Sequence, residues 1–151
     1  MRIGQLAKQA GISVETVRFY ERRGLIVQPA RPSGGGYRDY PEEAVQRIRF
    51  IRGAQRLGFS LDEIAALLEL KTGPDARCSD IREQARIKRQ QVQAKIDDLE
   101  RIKAALETLI SICPGTGPVR KCSILQAIDE QNLPLVPMTQ EQDHDERQAE
   151  N

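Results

Sequence analysis

The sequence contains no tryptophan, one histidine and three cysteines among its 151 residues, and only 4% of the residues are aromatic. A chain with one histidine, no nucleophile–base pair and no nucleotide-binding glycine loop is not expected to be an enzyme. An odd number of cysteines argues against a disulfide framework. No apolar run approaches the roughly 18 residues of a membrane span, and no basic-then-apolar leader is found, so we expect a cytoplasmic protein without a membrane partner.

Acidic and basic residues are nearly balanced over the whole chain but not along it. Residues 1–58 hold 11 basic and 5 acidic residues, a net charge of +6, whereas residues 59–151 hold 12 and 17, a net charge of −5. A basic front half suits a polyanionic partner, although a solvated charged surface gives the same composition.

Two short helices joined by a glycine turn are predicted at the start of the chain. The first covers Ile3 to Ala10, Gly11 turns the chain, and Ser13 is a good N-cap for a second helix that runs to about Arg22. This arrangement is typical of a helix-turn-helix.

The second helix is expected to expose polar side chains around a buried valine. Arginine contacts guanine edges or phosphates, and hydroxyl groups suit phosphates. A non-binding helical pair in a core remains the alternative. The predicted DNA contacts on this helix are Thr16, Arg18 and Tyr20.

Residues 31–40, RPSGGGYRDY, are here called the wing segment. A glycine-rich turn followed by alternating side chains predicts a β-hairpin. Beside a helix-turn-helix such a hairpin would place Tyr37 and Arg38 on the DNA backbone, whereas elsewhere it would be a plain surface hairpin.

Two further helices complete a predicted first domain of residues 1–72. Pro41 opens a third helix that Gly58 ends, and Ser60 with Glu63 forms a capping box for a fourth. The run Thr72-Gly73-Pro74 breaks the chain.

Residues 79–112 contain no glycine or proline and predict one helix about 50 Å long. Its apolar residues step by three and four, as in a coiled coil, so it needs a partner, most simply a second copy of itself. The stepping residues are Leu99, Ile102, Leu106, Leu109 and Cys113, extended by Val92 and Ile96. We assign residues 73–130 to dimerisation and a metal-binding loop, and expect the polar residues 131–151 to be disordered.

Cys78 and Cys113 bracket this helix and cannot meet within one chain. In an antiparallel pair, Cys78 of one copy would lie beside Cys113 and Cys122 of the other. Three thiolates favour a soft metal such as Hg(II) or Pb(II) over four-coordinate zinc, since the only histidine, His144, is in the expected tail. Ordinary buried cysteines and a thiol redox pair remain alternatives.

Three stretches strongly resemble the MerR family of transcription regulators: RIGQLAKQAGISVETVRFYERRGLI, GGGYRDY and IRGAQRLGFSLDEIAALLEL. The resemblance implies a mainly α fold, with a winged helix-turn-helix domain and a long antiparallel coiled-coil dimerisation helix. CPGTGPVRKCSIL is similar to the metal loop of mercury-responsive members. This similarity implies an Hg(II) ion in trigonal coordination, bound by Cys78 of one subunit and by Cys113 and Cys122 of the other. Ser123 departs from their usual proline, and lead or cadmium sensors share the cysteines.

The resemblance also implies how such a protein acts. A homodimer would hold double-stranded promoter DNA whose −35 and −10 elements are spaced too far apart, repressing transcription without metal. With Hg(II), or with Pb(II) or Cd(II) in the alternatives, it would bend and untwist the promoter into register for RNA polymerase. A thiol redox switch between Cys113 and Cys122 is the third hypothesis.

Overall fold

A computed structural model describes residues 1–135, and the described chain is helical with no β-strand. The predicted mainly α fold is therefore confirmed. No helix in the described part has both the length and the apolar character needed to cross a membrane. The elements are α1 (Ile3–Ala10), α2 (Val14–Arg22), α3 (Glu43–Arg56), α4 (Leu61–Thr72), α5 (Cys78–Ile112), a 3-10 turn (Val119–Lys121) and α6 (Ser123–Asp129).

The chain divides into two units, Met1–Ile81 and a second that begins at Arg82. The domain boundary predicted after residue 72 stays a prediction. Of the expected tail, residues 131–135 follow α6 without regular structure, and residues 136–151 lie outside the described residues.

The turn between α1 and α2 has the predicted capping. Gly11 adopts φ 71°, a left-handed conformation that costs glycine little, and its N–H donates to the carbonyl oxygens of Ala7 and Lys8. The Ser13 hydroxyl accepts the Thr16 N–H at 3.1 Å. These local bonds fix the angle at which α2 leaves α1.

Helices α3 and α4 close the core of the first unit, with α3 packed against both α1 and α4. The capping box of α4 is present, since Ser60 and Glu63 exchange backbone-to-side-chain bonds of 2.8 and 3.2 Å. Five apolar residues of α3 are buried and form its core-facing stripe: Ala44, Val45, Ile48, Ile51 and Ala54.

The predicted β-hairpin in the wing segment is wrong for the described structure. Gly35 and Gly36 adopt φ 81° and 109°, and the Gly35 N–H donates to the Pro32 carbonyl oxygen in a tight turn. The second arm does not pair with the first, because the Tyr40 N–H donates to the Met1 carbonyl oxygen at 2.7 Å. The wing segment is therefore a turn followed by an extended loop anchored at residue 1.

Tyr40 anchors the wing segment to the core. Its side chain is 3% exposed, and its hydroxyl donates to the Glu21 carboxylate. Burial, followed by the hydrogen bond to Glu21 and its negative charge, raises the pKa of Tyr40 to about 12. Arg38 and Arg18 oppose that shift.

We expect the stability of the folded chain to fall from about pH 10 to pH 12 because of Tyr40. In that window the tyrosine of the unfolded chain has lost its proton, whereas Tyr40 of the folded chain keeps it. Each increase in pH therefore lowers the free energy of unfolding. The loss attributable to Tyr40 should be roughly 2 kcal/mol. Urea unfolding of the wild type and of Tyr40→Phe across this range measures it. Equal slopes in the two proteins would contradict the assignment.

Helix α5 is one uninterrupted helix of 35 residues. The Arg77 N–H donates to the Asp80 carboxylate at 2.9 Å at its start, and Pro114 follows its end. Ala105 and Leu109 are buried within one chain, so Leu109 is not exposed on α5, in contrast to the other leucines of the predicted seam. The exposed apolar stripe of α5 contains Val92, Ile96, Leu99, Ile102, Leu106 and Ile110.

Candidate functional site

Three of the five predicted DNA contacts lie on one concave surface. Arg18 from α2 and Tyr37 and Arg38 from the wing segment line a cavity of about 400 Å³. Arg31, Gln28 and Glu21 also line it. The turn of the wing segment returns the chain toward α2, which is why residues about twenty positions apart share this surface.

This surface, here called the arginine cavity, favours an anionic ligand. Three arginines line it against one carboxylate, and that carboxylate, Glu21, already accepts from the Tyr40 hydroxyl and from Gln28 at 3.1 Å. The Arg38 Nε is buried and has no hydrogen-bond partner in the described chain. A phosphate oxygen would supply the missing acceptor.

Tyr37 is 69% exposed, and the Arg2 guanidinium lies 4.1 Å from the centre of its ring. A cation stacked on an aromatic face restrains both side chains. Tyr37 is thus held at the surface with its hydroxyl available to a ligand.

Thr16 lies at the start of α2 and does not line the arginine cavity. Its hydroxyl shares a hydrogen bond of 2.8 Å with the Ser13 hydroxyl, and the residue is partly exposed. Its role in DNA binding stays a prediction.

Tyr20 is buried, contrary to the expectation that α2 exposes it. Its side chain is 1% exposed, and its hydroxyl donates to the Gln55 Oε1 at 2.9 Å. Val17, three residues earlier on the same face of α2, is also fully buried. Tyr20 therefore joins α2 to α3 in the core and presents no surface to DNA.

The three cysteines occupy the two ends of α5. Cys78 is its first residue and is exposed, whereas Cys113 follows its last residue and is half-buried, as is Cys122 just before α6. A 35-residue helix is about 50 Å long, so Cys78 cannot reach Cys113 along it. All three thiols are free.

Cys113 and Cys122 meet across the loop that joins them. The backbone N–H groups of Leu125 and then Ile124 face the Cys122 sulfur, although neither closes a regular capping bond, and both lower the pKa of its thiol. Partial burial opposes this shift, and the hydrogen bond from Cys113 adds to it. The Cys122 thiol therefore converts to a thiolate more readily than an ordinary cysteine does.

One chain provides two neighbouring sulfurs, those of Cys113 and Cys122, as ligands for a metal ion. Within residues 1–135, no three Cys, His, Asp or Glu side chains of one chain come together. Two neighbouring sulfurs, of which Cys122 has a lowered thiol pKa, suit a thiophilic ion, and a third sulfur from another chain would complete a trigonal set. His144 lies outside the described residues.

Two family models together match residues 1–109 of the chain. Residues 1–71 match the MerR HTH family regulatory proteins, and residues 45–109 match the MerR DNA-binding family. A mercuric resistance operon regulatory protein of Pseudomonas fluorescens is 42% identical over 85% of this chain and 87% of its own length. The chain belongs to the MerR family. Members of this family are transcription regulators, so the chain is not an enzyme.

Two solved MerR-family structures resemble the fold over 85% of the chain. The transcription regulator PbrR691 of Ralstonia metallidurans CH34, in complex with lead(II), has a TM-score of 0.77 and 38% identity over 98% of its chain. The dual-function regulator MerR of Bacillus megaterium MB1, in complex with a mercury(II) ion, has a TM-score of 0.66 and 36% identity over 99% of its chain.

The MerR-type sequence pattern did not indicate every residue of these sites. Arg31 lines the arginine cavity but is not among the predicted DNA contacts. Its position at the start of the wing segment is the feature of the sequence that could have indicated this role. The Ser123 hydroxyl oxygen is buried beside Cys122 in sequence and has no hydrogen-bond partner in residues 1–135. No periodicity or motif in the sequence predicted that burial.

Proposed function

We propose that this metal-responsive transcriptional regulator is a cytoplasmic homodimer that represses a mercury-resistance operon without metal and activates it with Hg(II). Cys113 and Cys122 of one subunit and Cys78 of the partner subunit bind the ion. Two such sites form in each dimer, one at each end of the paired α5 helices.

The pairing of Cys113 with Cys122 is the observation that carries this proposal. It provides two adjacent sulfurs, one of them with a lowered thiol pKa, at the end of α5 opposite Cys78. An antiparallel partner brings its own Cys78 to that end. Mercury(II) favours few, soft ligands, which matches a set of three sulfurs without nitrogen or carboxylate donors.

A metal titration of the reduced protein tests the proposal. Hg(II), Pb(II), Cd(II) and Zn(II) are added in the presence of glutathione, and ultraviolet thiolate-to-metal bands and native mass spectrometry report binding. We expect Hg(II) alone to survive the competition, with two ions per dimer. The Cys78→Ser variant should lose the three-sulfur spectrum.

Other results of the metal titration would identify a different effector. Equal retention of Pb(II) or Cd(II) would keep a metal-responsive regulator and reject mercury as its specific effector. Binding of no ion, with an oxidised Cys113–Cys122 disulfide that alters DNA binding regardless of Cys78, would establish the thiol redox switch.

Lead(II) is the second candidate effector. It is favoured by the likeness to the lead(II) complex of PbrR691, whose TM-score of 0.77 exceeds the 0.66 of the mercury(II) complex. Ser123 after the third cysteine points the same way, because it departs from the usual proline of mercury-responsive members. The competition experiment compares the two ions directly.

Promoter DNA is the second ligand in the proposal. Arg18, Arg38 and Tyr37 bind backbone phosphates at the arginine cavity, and Thr16 contacts the backbone from the start of α2. The metal acts by favouring the protein–DNA state in which the promoter is bent and untwisted for RNA polymerase.

Arg38→Ala should weaken binding to a mixed-sequence DNA duplex by about tenfold at moderate salt, because it removes one phosphate contact per subunit. The slope of log affinity against log salt should fall by about 0.9 per subunit. Arg38→Lys should recover only part of the affinity, since lysine lacks Nε and the planar fork. Fluorescence anisotropy over a salt series measures both quantities.

Arg86→Ala is the matched control, because it removes one positive charge from α5 at a residue that does not line the arginine cavity. Its affinity and salt slope should match the wild type. A loss as large as that of Arg38→Ala would show that net charge, and not the cavity, determines DNA affinity.

A further inference from the structure

Helix α5 carries opposite charges along its two halves. Residues 82–95 hold five basic residues and one acidic residue, whereas residues 96–109 hold two basic and four acidic residues. Two parallel copies would place like charges side by side, and two antiparallel copies would place opposite charges together. The charges of α5 therefore favour an antiparallel pair of helices over a parallel pair.

Four of these charges lie along one edge of the exposed apolar stripe. At 100° per residue, Arg82, Arg89, Glu100 and Glu107 fall within about 20° of one another around the helix axis. These four residues lie about 80° around the helix from the middle of the stripe. In a coiled coil, residues at such flanking positions contact the flanking residues of the partner helix. We call these four residues the charged edge.

The structure supports this placement near the first half of α5. Arg82, Arg86 and Arg89 line a shallow groove beside Ala85, which continues the line of the stripe. Neither Arg82 nor Arg89 forms an ion pair within residues 1–135, and the same holds for Glu100. Glu107 has a long contact of 3.9 Å with Lys103. Most of the charged edge is thus without an ion pair among the residues that the structure describes.

A symmetric antiparallel pair brings the charged edge of one copy against the same edge of the other. In such a pair, facing residues have numbers with a constant sum. Arg82 with Glu107 and Arg89 with Glu100 both give 189, so one register satisfies both pairs. In that register Cys78 faces residue 111 of the other copy, two residues from Cys113.

We propose that the ion pairs Arg82–Glu107 and Arg89–Glu100, each formed between subunits and each occurring twice, set the direction and register of the dimer. The inference rests on the proposed homodimer and names the residues that select a second copy of this chain as the partner. It also explains how Cys78 comes to the correct end and depth without help from the cysteines themselves.

Two double variants with the same change of charge test the register. R82E/E107R restores opposite charges in the proposed pairs. R82E/E100R instead places like charges in both pairs, with two carboxylates at positions 82 and 107 and two guanidinium groups at positions 89 and 100. The dimer dissociation constant of each full-length variant comes from urea unfolding at several protein concentrations, with circular dichroism to confirm helix content.

R82E alone should raise the dimer dissociation constant by about tenfold, and R82E/E107R should return it to within about threefold of the wild type. R82E/E100R should raise it by about 100-fold. R86E is the control: Arg86 borders the same groove, but it lies about 50° further around the helix from the apolar stripe than the charged edge does and contacts Glu83 of its own helix at 4.0 Å. It should change the constant by less than about threefold.

The register inference is overturned if R82E/E107R dimerises no more tightly than R82E/E100R. The Hg(II) titration of R82E/E107R separates this result from failure of the proposed function. A three-sulfur spectrum with equal dissociation constants would reject the ion pairs and keep the mercury site. Recovery of the dimer without that spectrum would keep the register and reject the site.

Discussion

A mixed dimer of Cys78→Ser and Cys113→Ser subunits should bind one Hg(II) ion through three sulfurs, although neither variant homodimer should do so. The first subunit supplies Cys113 and Cys122, and the second supplies Cys78. The other end of the same dimer retains one cysteine. Native mass spectrometry and thiolate-to-metal absorption under glutathione competition measure the recovered site.

The expected effect is large because each removed sulfur takes away a strong bond to a soft ion. Loss of one ligand of three should raise the fraction of metal lost to glutathione by more than the roughly 10–100-fold that outer-shell changes cost at metal sites. The recovery depends on the two ends of α5 being too far apart to share ligands within one chain.

A dimer of the wild type with Cys78→Ser/Cys113→Ser is the matched control. It lacks the same two cysteines per dimer, but both losses fall in one subunit, so neither end retains three sulfurs. Equal Hg(II) binding in the two mixed dimers would reject ligands shared between subunits. Full binding by the Cys78→Ser homodimer would reject Cys78 as a ligand.

Tyr20→Ala should destabilise the first unit by about 3–5 kcal/mol, because it empties the space filled by a buried aromatic ring. The ring is 1% exposed and lies between α2 and α3. Urea unfolding gives the loss of free energy. A change below about 1 kcal/mol would contradict the core position of Tyr20.

Tyr20→Phe separates the ring from its hydroxyl. It keeps the packing but leaves the Gln55 oxygen without its donor, at a cost of about 1 kcal/mol. The affinity of the folded variant for DNA should equal that of the wild type. A tenfold loss of DNA affinity without loss of stability would restore the earlier hypothesis that Tyr20 contacts DNA.

Local signals in the sequence predicted the helices well, because caps and apolar spacing are short-range properties. Ser13 and Ser60 cap α2 and α4 as expected. The hydroxyl group of Tyr20 favours an exposed position, but the residue is buried. Its spacing of three residues from Val17 already placed both side chains on one helix face.

Contacts between residues far apart in the sequence were not predictable in this way. The wing segment has the composition of a hairpin, but its second arm bonds to Met1, about forty positions away. The sequence likewise predicted three cysteine ligands without indicating that Cys113 and Cys122 are already in contact. Such contacts depend on the assembled chain, and no pattern within one element specifies them.

The exposure of the cysteine loop has a kinetic consequence. Residues 114–121 are exposed, Cys78 is exposed, and the other two thiols are half-buried. An ion carried by a small cellular thiol could therefore be transferred one sulfur at a time, beginning at an accessible thiolate and without any opening of the core. The speed of the response would then follow the rate of ligand exchange and not the rate of local unfolding.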